Sequence, residues 1–474
     1  MTASKSVSSS LLKVNYNNLT QEAAGPNGLD GEDLKSLKEP VSAALKDVLA
    51  RHKKGNLPFI DLALDQDMIK QCRRLGDKVR KQFQDVVVLG IGGSALGSSA
   101  VYTALSPLNQ KHRPQAKGQP PRLTVADNID PDGFAAILET VDLEKTYFNV
   151  ISKSGATAET MSQFLIVYEK LRRHLGRQQL KDHLLVTTDP ANGVLRKMVQ
   201  SEDLTSLPIP PAVGGRFSVF TPVGLAPLAM AGVSIQALME GVLLAREESL
   251  RPWQANKAAM LAGLNWFMAT RKNRPILVLM PYAESLALTA DWFGQLWNES
   301  LGKAKKLDGS PASGGQTAVK AVGVTDQHSQ LQMYMEGPQD KTVMFLGTEK
   351  FRKKVSIPGL FAEHEELGYL AGGNLGQLLE YELRGTERAL AESGRPNLTL
   401  TVPEVTPQAM GFLLHTLEMA AVVSGSLYGV DPLDQPGVEL GKKFTYGLMG
   451  RPGFEDFLER YQKGLASDRK YILL

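Results

Sequence analysis

The sequence holds a single cysteine, Cys72. One thiol cannot close an internal disulfide, which excludes a stapled secreted scaffold. Cys72 falls in a helical pattern with no neighbour to lower its pKa, so it is expected to be an inert, small apolar residue. An excess of one charge is missing as well: 53 Lys and Arg stand against 50 Asp and Glu, a formal net charge of +3. Both signs are interspersed, which argues against a nucleic-acid or membrane-surface binder. The Ser-rich Met1–Ser10 has no apolar core and is not read as a signal peptide. The longest uncharged run, Phe217–Met239, reaches the membrane-spanning length of about 20 residues. It contains Pro222, Gly224, Pro227 and Gly232, and is read as a loop followed by a buried helix. There is no short-period repeat and no low-complexity tract.

What is there is an ordinary globular composition, 43% hydrophobic and 22% charged. At 474 residues the chain exceeds the roughly 250–300 that one core supports, so two domains are expected. Gly31–His52 and Gln66–Gln84 have helical periodicity. Val86–Leu89 then gives a short β-branched run ending at a glycine, the pattern of a buried parallel strand. Leu123–Ala126, Tyr147–Ile151 and Leu184–Thr187 repeat it, separated by helical stretches such as Thr157–Leu175. A second cycle follows the helical stretch Gln254–Lys272, with strands at Pro275–Met280, Lys341–Leu346 and Leu398–Val402 and a helix at Ala287–Trp297. Strands alternating with helices predict an α/β protein with parallel sheets covered on both faces. The two units are placed at 86–245 and 254–430, between a helical N-terminal extension, 1–85, and a C-terminal helical segment, 431–474.

Several turns carry chemistry. The first strand runs into Gly90-Ile91-Gly92-Gly93-Ser94, where backbone N–H groups at a helix start favour an anion. Gly90-x-Gly92-x-x-Ala95 also fits a loose dinucleotide fingerprint, although the acidic residue that such a site wants comes late, at Asp127. The third strand leads into Ser152-Lys153-Ser154-Gly155-Ala156-Thr157, three hydroxyls and an ammonium at another helix start. That set suits a phosphate monoester and equally a well-capped helix. Two such turns on neighbouring strands favour one small phosphorylated ligand over a dinucleotide. Arg216 follows Gly214-Gly215, where backbone without side chains lets a permanently charged fork of donors approach a ligand. Glu299 ends an apolar helix, and on spacing alone it is a solvated carboxylate. His328, one of seven histidines, titrates in a range useful for proton transfer. Asp434-Gln435-Pro436-Gly437-Val438-Glu439-Leu440-Gly441-Lys442 reads locally as a helix start.

In this order, these segments resemble the glucose-6-phosphate isomerase family. Gly214-Gly215-Arg216-Phe217-Ser218 and Asp434–Lys442 match the cores of the two family signatures, and the resemblance runs from about Val86 to Lys443. It implies two flavodoxin-like sugar-isomerase domains, a homodimer, no metal and no organic cofactor, while a cytoplasmic location is expected from the missing targeting signals. The implied reaction interconverts glucose 6-phosphate and fructose 6-phosphate through an enediol, in glycolysis and gluconeogenesis. By position, Glu299 is implied as the base that moves a proton between C2 and C1, and Arg216 as the stabiliser of the enediolate. Lys442 and His328 are implied in ring opening, with the histidine supplied by the partner subunit. Ser152, Lys153, Ser154 and Thr157 are implied at the phosphate, and Gly93, Ser94 and Gln435 at the sugar. Two positions depart from the family pattern. Leu433 stands where an aromatic residue is expected, and Met335 where longer members carry a histidine.

Overall fold

Short apolar runs too brief for helices pair laterally, and their alternating side chains give each sheet two faces to cover. The computed structural model describes residues 11–108, 118–312, 314–468 and 472. Its strands are β1 Lys13–Asn15, β2 Asp85–Leu89, β3 Arg122–Ala126, β4 Thr146–Ser152, β5 Leu184–Thr188, β6 Thr205–Pro208, β7 Ile276–Pro281, β8 Thr317–Lys320, β9 Lys341–Lys350 and β10 Asn397–Glu404.

The first sheet has the order β3-β2-β4-β5-β6, all parallel. Counted within the sheet this is 2-1-3-4-5, the doubly wound order with a topological switch point between β2 and β4. The second sheet, β1-β10-β9-β7-β8, repeats the pattern with its switch point between β7 and β9. Its edge strand β1 is antiparallel and comes from the N-terminal segment that the sequence pattern marked as helical. The strands β2, β4 and β5 are buried along their whole length, as their unbroken apolar pattern predicts.

Three apolar clusters build the interior. Val87, Leu89, Phe148 and Val150 face the helix Ala158–Gln179 on one side of the first sheet. Val278, Met280 and Phe345 meet Leu383 and Leu390 of the helix Leu375–Glu392 on one side of the second. The opposite faces, through Val86, Val88, Leu277 and Leu279, share one central core with the helices between the sheets. At its centre lies the helix Pro407–Tyr428, buried at every position from Ala409 to Gly425. It has the length and composition to cross a membrane, yet it is a core helix here. Glycines set its closest crossing: a Cβ at Gly241 would fall 1.9 Å from the carbonyl oxygen of Gln408, and one at Gly411 2.0 Å from that of Leu238.

Two sequence expectations need revision. Gly31–His52 is two helices, Gly31–Ser36 and Lys38–Lys53, because Pro40 lacks the N–H that would bond to Ser36 and its ring crowds that carbonyl. Phe217–Met239 holds a buried helix, Pro222–Met230, and also the start of a second one, Ile235–Ser249. Thr221 caps the first of them, with Pro222 at its first position.

Candidate active site

In doubly wound sheets, ligands bind beyond the C-terminal ends of the strands at the switch point. In the first sheet those ends are Leu89 and Ser152, on paired strands with Leu89 opposite Val150. The turn Gly90–Ser94 and the turn Ser152–Thr157 are therefore neighbours.

The second turn has groups that can hold an anion. Gly155 takes a φ of +64°, and a Cβ there would also fall 2.8 Å from the Leu195 nitrogen, so only glycine fits. Ser152 Oγ accepts from the Gly155 N–H at 3.1 Å and lies 3.1 Å from Thr157 Oγ1. Thr157 stands at the N-cap of the helix Ala158–Gln179, which is broken at Gly176, and its side chain makes no capping bond. The first N–H groups of that helix have no backbone partner among the described residues and can meet an oxyanion. Ser154 Oγ accepts from the Ala156 N–H at 3.3 Å. Lys153 turns to the other side, where its ammonium donates to the carbonyls of Pro211 and Val213. Burial pulls its pKa below the usual lysine range. It ties this turn to the strand of chain that leads into Gly214 and Arg216.

The first turn meets the same segment. A Cβ on Gly93 would fall 2.2 Å from the Gly215 carbonyl carbon and 2.8 Å from the Arg216 nitrogen. Ser218 Oγ donates to the Gly93 and Gly215 carbonyls, at 3.3 and 2.6 Å. Bare backbone packed on bare backbone brings Arg216 under the mouth of the sheet.

Arg216 is only 3% exposed. Its Nε donates to Ser300 Oγ at 2.9 Å, and Nη1 donates to Gln435 Oε1 at 2.7 Å and to Glu299 Oε2 at 3.4 Å. Nη2 donates to the carbonyls of Pro432 and, at 2.8 Å, Asp434. Burial lowers its pKa, while Glu299 and Asp434 act in the opposite sense. Glu299 ends the helix Ala287–Leu301 with its carboxylate 30% exposed, open on one side. One helical turn earlier, Gln295 donates Nε2 to Glu299 Oε1 at 3.1 Å. Its other amide atom, Oε1, is buried without a partner among the described residues, and a Cβ on Gly92 would touch Nε2 at 3.0 Å. Gln295, Ser300 and Lys303 fall in the segment around Glu299 that the sequence singles out, but they carried no role there; the i, i+4 spacing of Gln295 to Glu299 was the one signal for the first.

The structure thus brings Gly93, Arg216, Glu299 and Gln435 together, with Ser152, Ser154 and Thr157 on the adjoining turn. Ser94 lies in the first turn, its N–H bonded to the Ile91 carbonyl. Lys442 and His328 stand apart. Lys442 is half-exposed on the helix Glu439–Leu448 and pairs with Glu439 at 2.8 Å. His328 is exposed on the short turn Thr325–His328 after β8. Neither donates to or accepts from Glu299 or Arg216 among the described residues.

A carboxylate beside a fixed guanidinium, next to a phosphate-type turn, is equipment for moving a proton on a phosphorylated sugar. Comparison with known proteins gives the family. The family model described as phosphoglucose isomerase matches residues 66–453. The chain belongs to the phosphoglucose isomerase family. It is 43% identical over 465 residues to the glucose-6-phosphate isomerase of Carboxydothermus hydrogenoformans, covering 98% of this chain and 99% of that one. A glucose-6-phosphate isomerase of Rubrobacter xylanophilus is 41% identical, with 93% and 98% covered. Among solved structures, a hypothetical protein of Thermus thermophilus superposes with a TM-score of 0.82 at 36% identity, over 92% of this chain and 99% of the other. The glucose-6-phosphate isomerase of Chlamydia trachomatis shares the fold, with a TM-score of 0.78 at 21% identity over 97% and 98% of the two chains.

Proposed function

We propose that Glu299 and Arg216 carry the interconversion of glucose 6-phosphate and fructose 6-phosphate, the aldose–ketose step of glycolysis and gluconeogenesis. The observation behind this reading is the half-open Glu299 carboxylate held 3.4 Å from a buried arginine, beside the turn at Ser152–Thr157. In the open-chain aldose, Glu299 takes the proton from C2. The C2–H electrons form the C1=C2 bond, and the carbonyl electrons move onto O1. Arg216 faces that oxyanion; its Nη1 bond to Glu299 is the longest of its set and the easiest to redirect. The O2 hydroxyl proton then passes to O1, the O2 electrons form the C2 carbonyl, and the C1=C2 electrons take the proton back from the Glu299 carboxyl at C1. One carboxylate with access to both carbons suffices for this transfer.

Ser152, Ser154, Thr157 and the free N–H groups of the following helix hold the phosphate. Lys153 supports that site by holding the adjoining loop. Binding energy gathered at the phosphate positions carbons at the far end of the substrate. Gly93, Ser94 and Gln435 line the sugar. Lys442 and His328 open the ring. Lys442 reaches it by releasing Glu439, and His328 acts from the partner subunit of a homodimer. The reading places the enzyme in the cytoplasm, where its phosphosugars circulate.

The test is turnover of fructose 6-phosphate in excess EDTA by the wild type and Glu299→Gln. Wild-type activity that survives EDTA, with loss of at least about 1,000-fold in the variant and little change in substrate binding, is expected. A variant with near wild-type turnover removes Glu299 as the base. Phosphosugar binding without any turnover by the wild type makes the protein a sensor instead.

A further inference from the structure

Lys303 lies two residues beyond the helix that ends at Leu301, with its side chain 4% exposed. An ammonium has three donors and no acceptor, and each donor is placed. One goes to the backbone carbonyl of Glu299 at 2.6 Å, one to the carbonyl of Asp434, and one to Asp434 Oδ1 at 3.1 Å. The Asp434 carbonyl also accepts from Arg216 Nη2 at 2.8 Å. Two buried cations, one from each sheet's territory, thus hold the same peptide group. The next residue, Gln435, gives its side-chain oxygen to Arg216.

A buried cation stripped of its partners is costly, so this arrangement resists separation. It links the last turn of the Glu299 helix to residues 432–435, and those residues supply three of the five acceptors of Arg216. Neither the ammonium nor its bonds reach the Glu299 carboxylate itself.

We propose that Lys303 is a positioning residue for the isomerisation: it fixes the Glu299 backbone against the Asp434–Gln435 segment and so sets the carboxylate relative to Arg216. The inference rests on Glu299 being the base. The phosphate-type turn lies on a different element, so the effect belongs chiefly in kcat, with only a small share in ground-state binding through Gln435.

The experiment compares Lys303→Met, Asp434→Ala and the double variant, with folding checked by circular dichroism and thermal melting. Lys303→Met keeps the aliphatic stem and loses the ammonium. Its kcat is expected to fall by about 10- to 100-fold, the scale of a misplacement near 1 Å. Its KM for fructose 6-phosphate is expected to stay within about threefold of wild type. Asp434→Ala removes only the exposed carboxylate partner, so its kcat falls less, and it adds nothing to Lys303→Met. A folded Lys303→Met with wild-type kcat overturns the proposal, as does a loss confined to KM. Should Lys303→Met fail to fold, an unchanged kcat in Asp434→Ala overturns it, and a lowered kcat at constant KM supports it. Should Glu299→Gln prove active, the catalytic reading itself fails; an inactive Glu299→Gln beside a normal Lys303→Met sinks the positioning role alone.

Discussion

Arginine has five N–H donors, and at position 216 all five are taken: by Ser300, Glu299, Gln435 and two backbone carbonyls. This makes the side chain a fixed electrostatic element with only its one long bond, to Glu299, to redirect when charge develops nearby. A lysine in its place keeps the charge but has three donors on a flexible stem and cannot reproduce the planar fork. Arg216→Lys is therefore expected to lose about 100- to 1,000-fold in kcat, nearly as much as Arg216→Ala. Steady-state kinetics on the folded variants decides it: a lysine variant within a few-fold of wild type would show that charge alone is what the site needs. At this scale the sequence was unevenly legible. Arg216 stood out because paired glycines precede it. Glu299 did not, since a glutamate at a helix end is commonplace. It acquires meaning only from contact with a residue 83 positions away, which no local pattern encodes. Lys153 was legible as part of a cationic turn, but the direction of its side chain depended on the carbonyls of Pro211 and Val213.

At the scale of elements, long periodic runs were read well and short ones were not. The strands β1, β6 and β8 have three or four residues each, too few for a pattern, and exist because a neighbouring strand offers them a ladder. The central helix Pro407–Tyr428 carries a further consequence. His415 and Glu418 are fully buried within it, Nδ1 to Oε2 3.6 Å apart, and neither has a hydrogen-bond partner among the described residues. The rings of Phe59 and Phe220 flank His415. Burial pulls the histidine down to about 3 and pushes the glutamate well above the usual carboxylate range. The pair is therefore held as neutral imidazole and carboxylic acid. For Glu418, the folded chain keeps a proton that the unfolded chain releases. Its contribution to stability is complete below about pH 4.5 and is lost as pH rises toward the raised folded value. Glu418→Gln has no such proton to lose. Compared at equal pH, the variant should gain on the wild type by about 1.4 kcal/mol per pH unit above that point, until the raised folded value is reached. Urea midpoints of both proteins at pH 5.5, 7 and 8.5 measure this; a constant difference would show that Glu418 is ionised in the fold. His415 acts in the opposite sense at lower pH, with stability lost as pH falls below about 6.5, and it is common to both proteins.

At the scale of the whole molecule, the two sheets repeat one winding, and among the described residues only the switch point of the first is furnished with the glycine and serine turns. The second sheet contributes at a distance, through the helix that follows β7 and carries Glu299. The α/β class and the alternation of strand and helix were visible in the sequence, because the apolar runs are strong. The shared central core was not, since helices from both units are buried on more than one side and their periodicity is blurred. What one chain does not assemble, among the described residues, is a site holding Glu299, Arg216 and His328 together. His328 lies exposed, and the groups beside it are engaged elsewhere: Gln327 with Tyr282, Thr386 and Glu382, and Asp326 with Ser329 and the Val322 N–H. If the partner subunit supplies this histidine, two inactive variants should complement each other. In a mixture of Glu299→Gln and His328→Ala subunits, each heterodimer has one site with both residues intact and one with neither. Random exchange makes half of the dimers heterodimers, so activity should recover to about one quarter of wild type. Co-refolding equimolar variants and assaying fructose 6-phosphate turnover tests this. No recovery, with heterodimers demonstrated by a tag on one subunit, would place His328 in the same subunit as the Glu299 it serves, or outside the reaction.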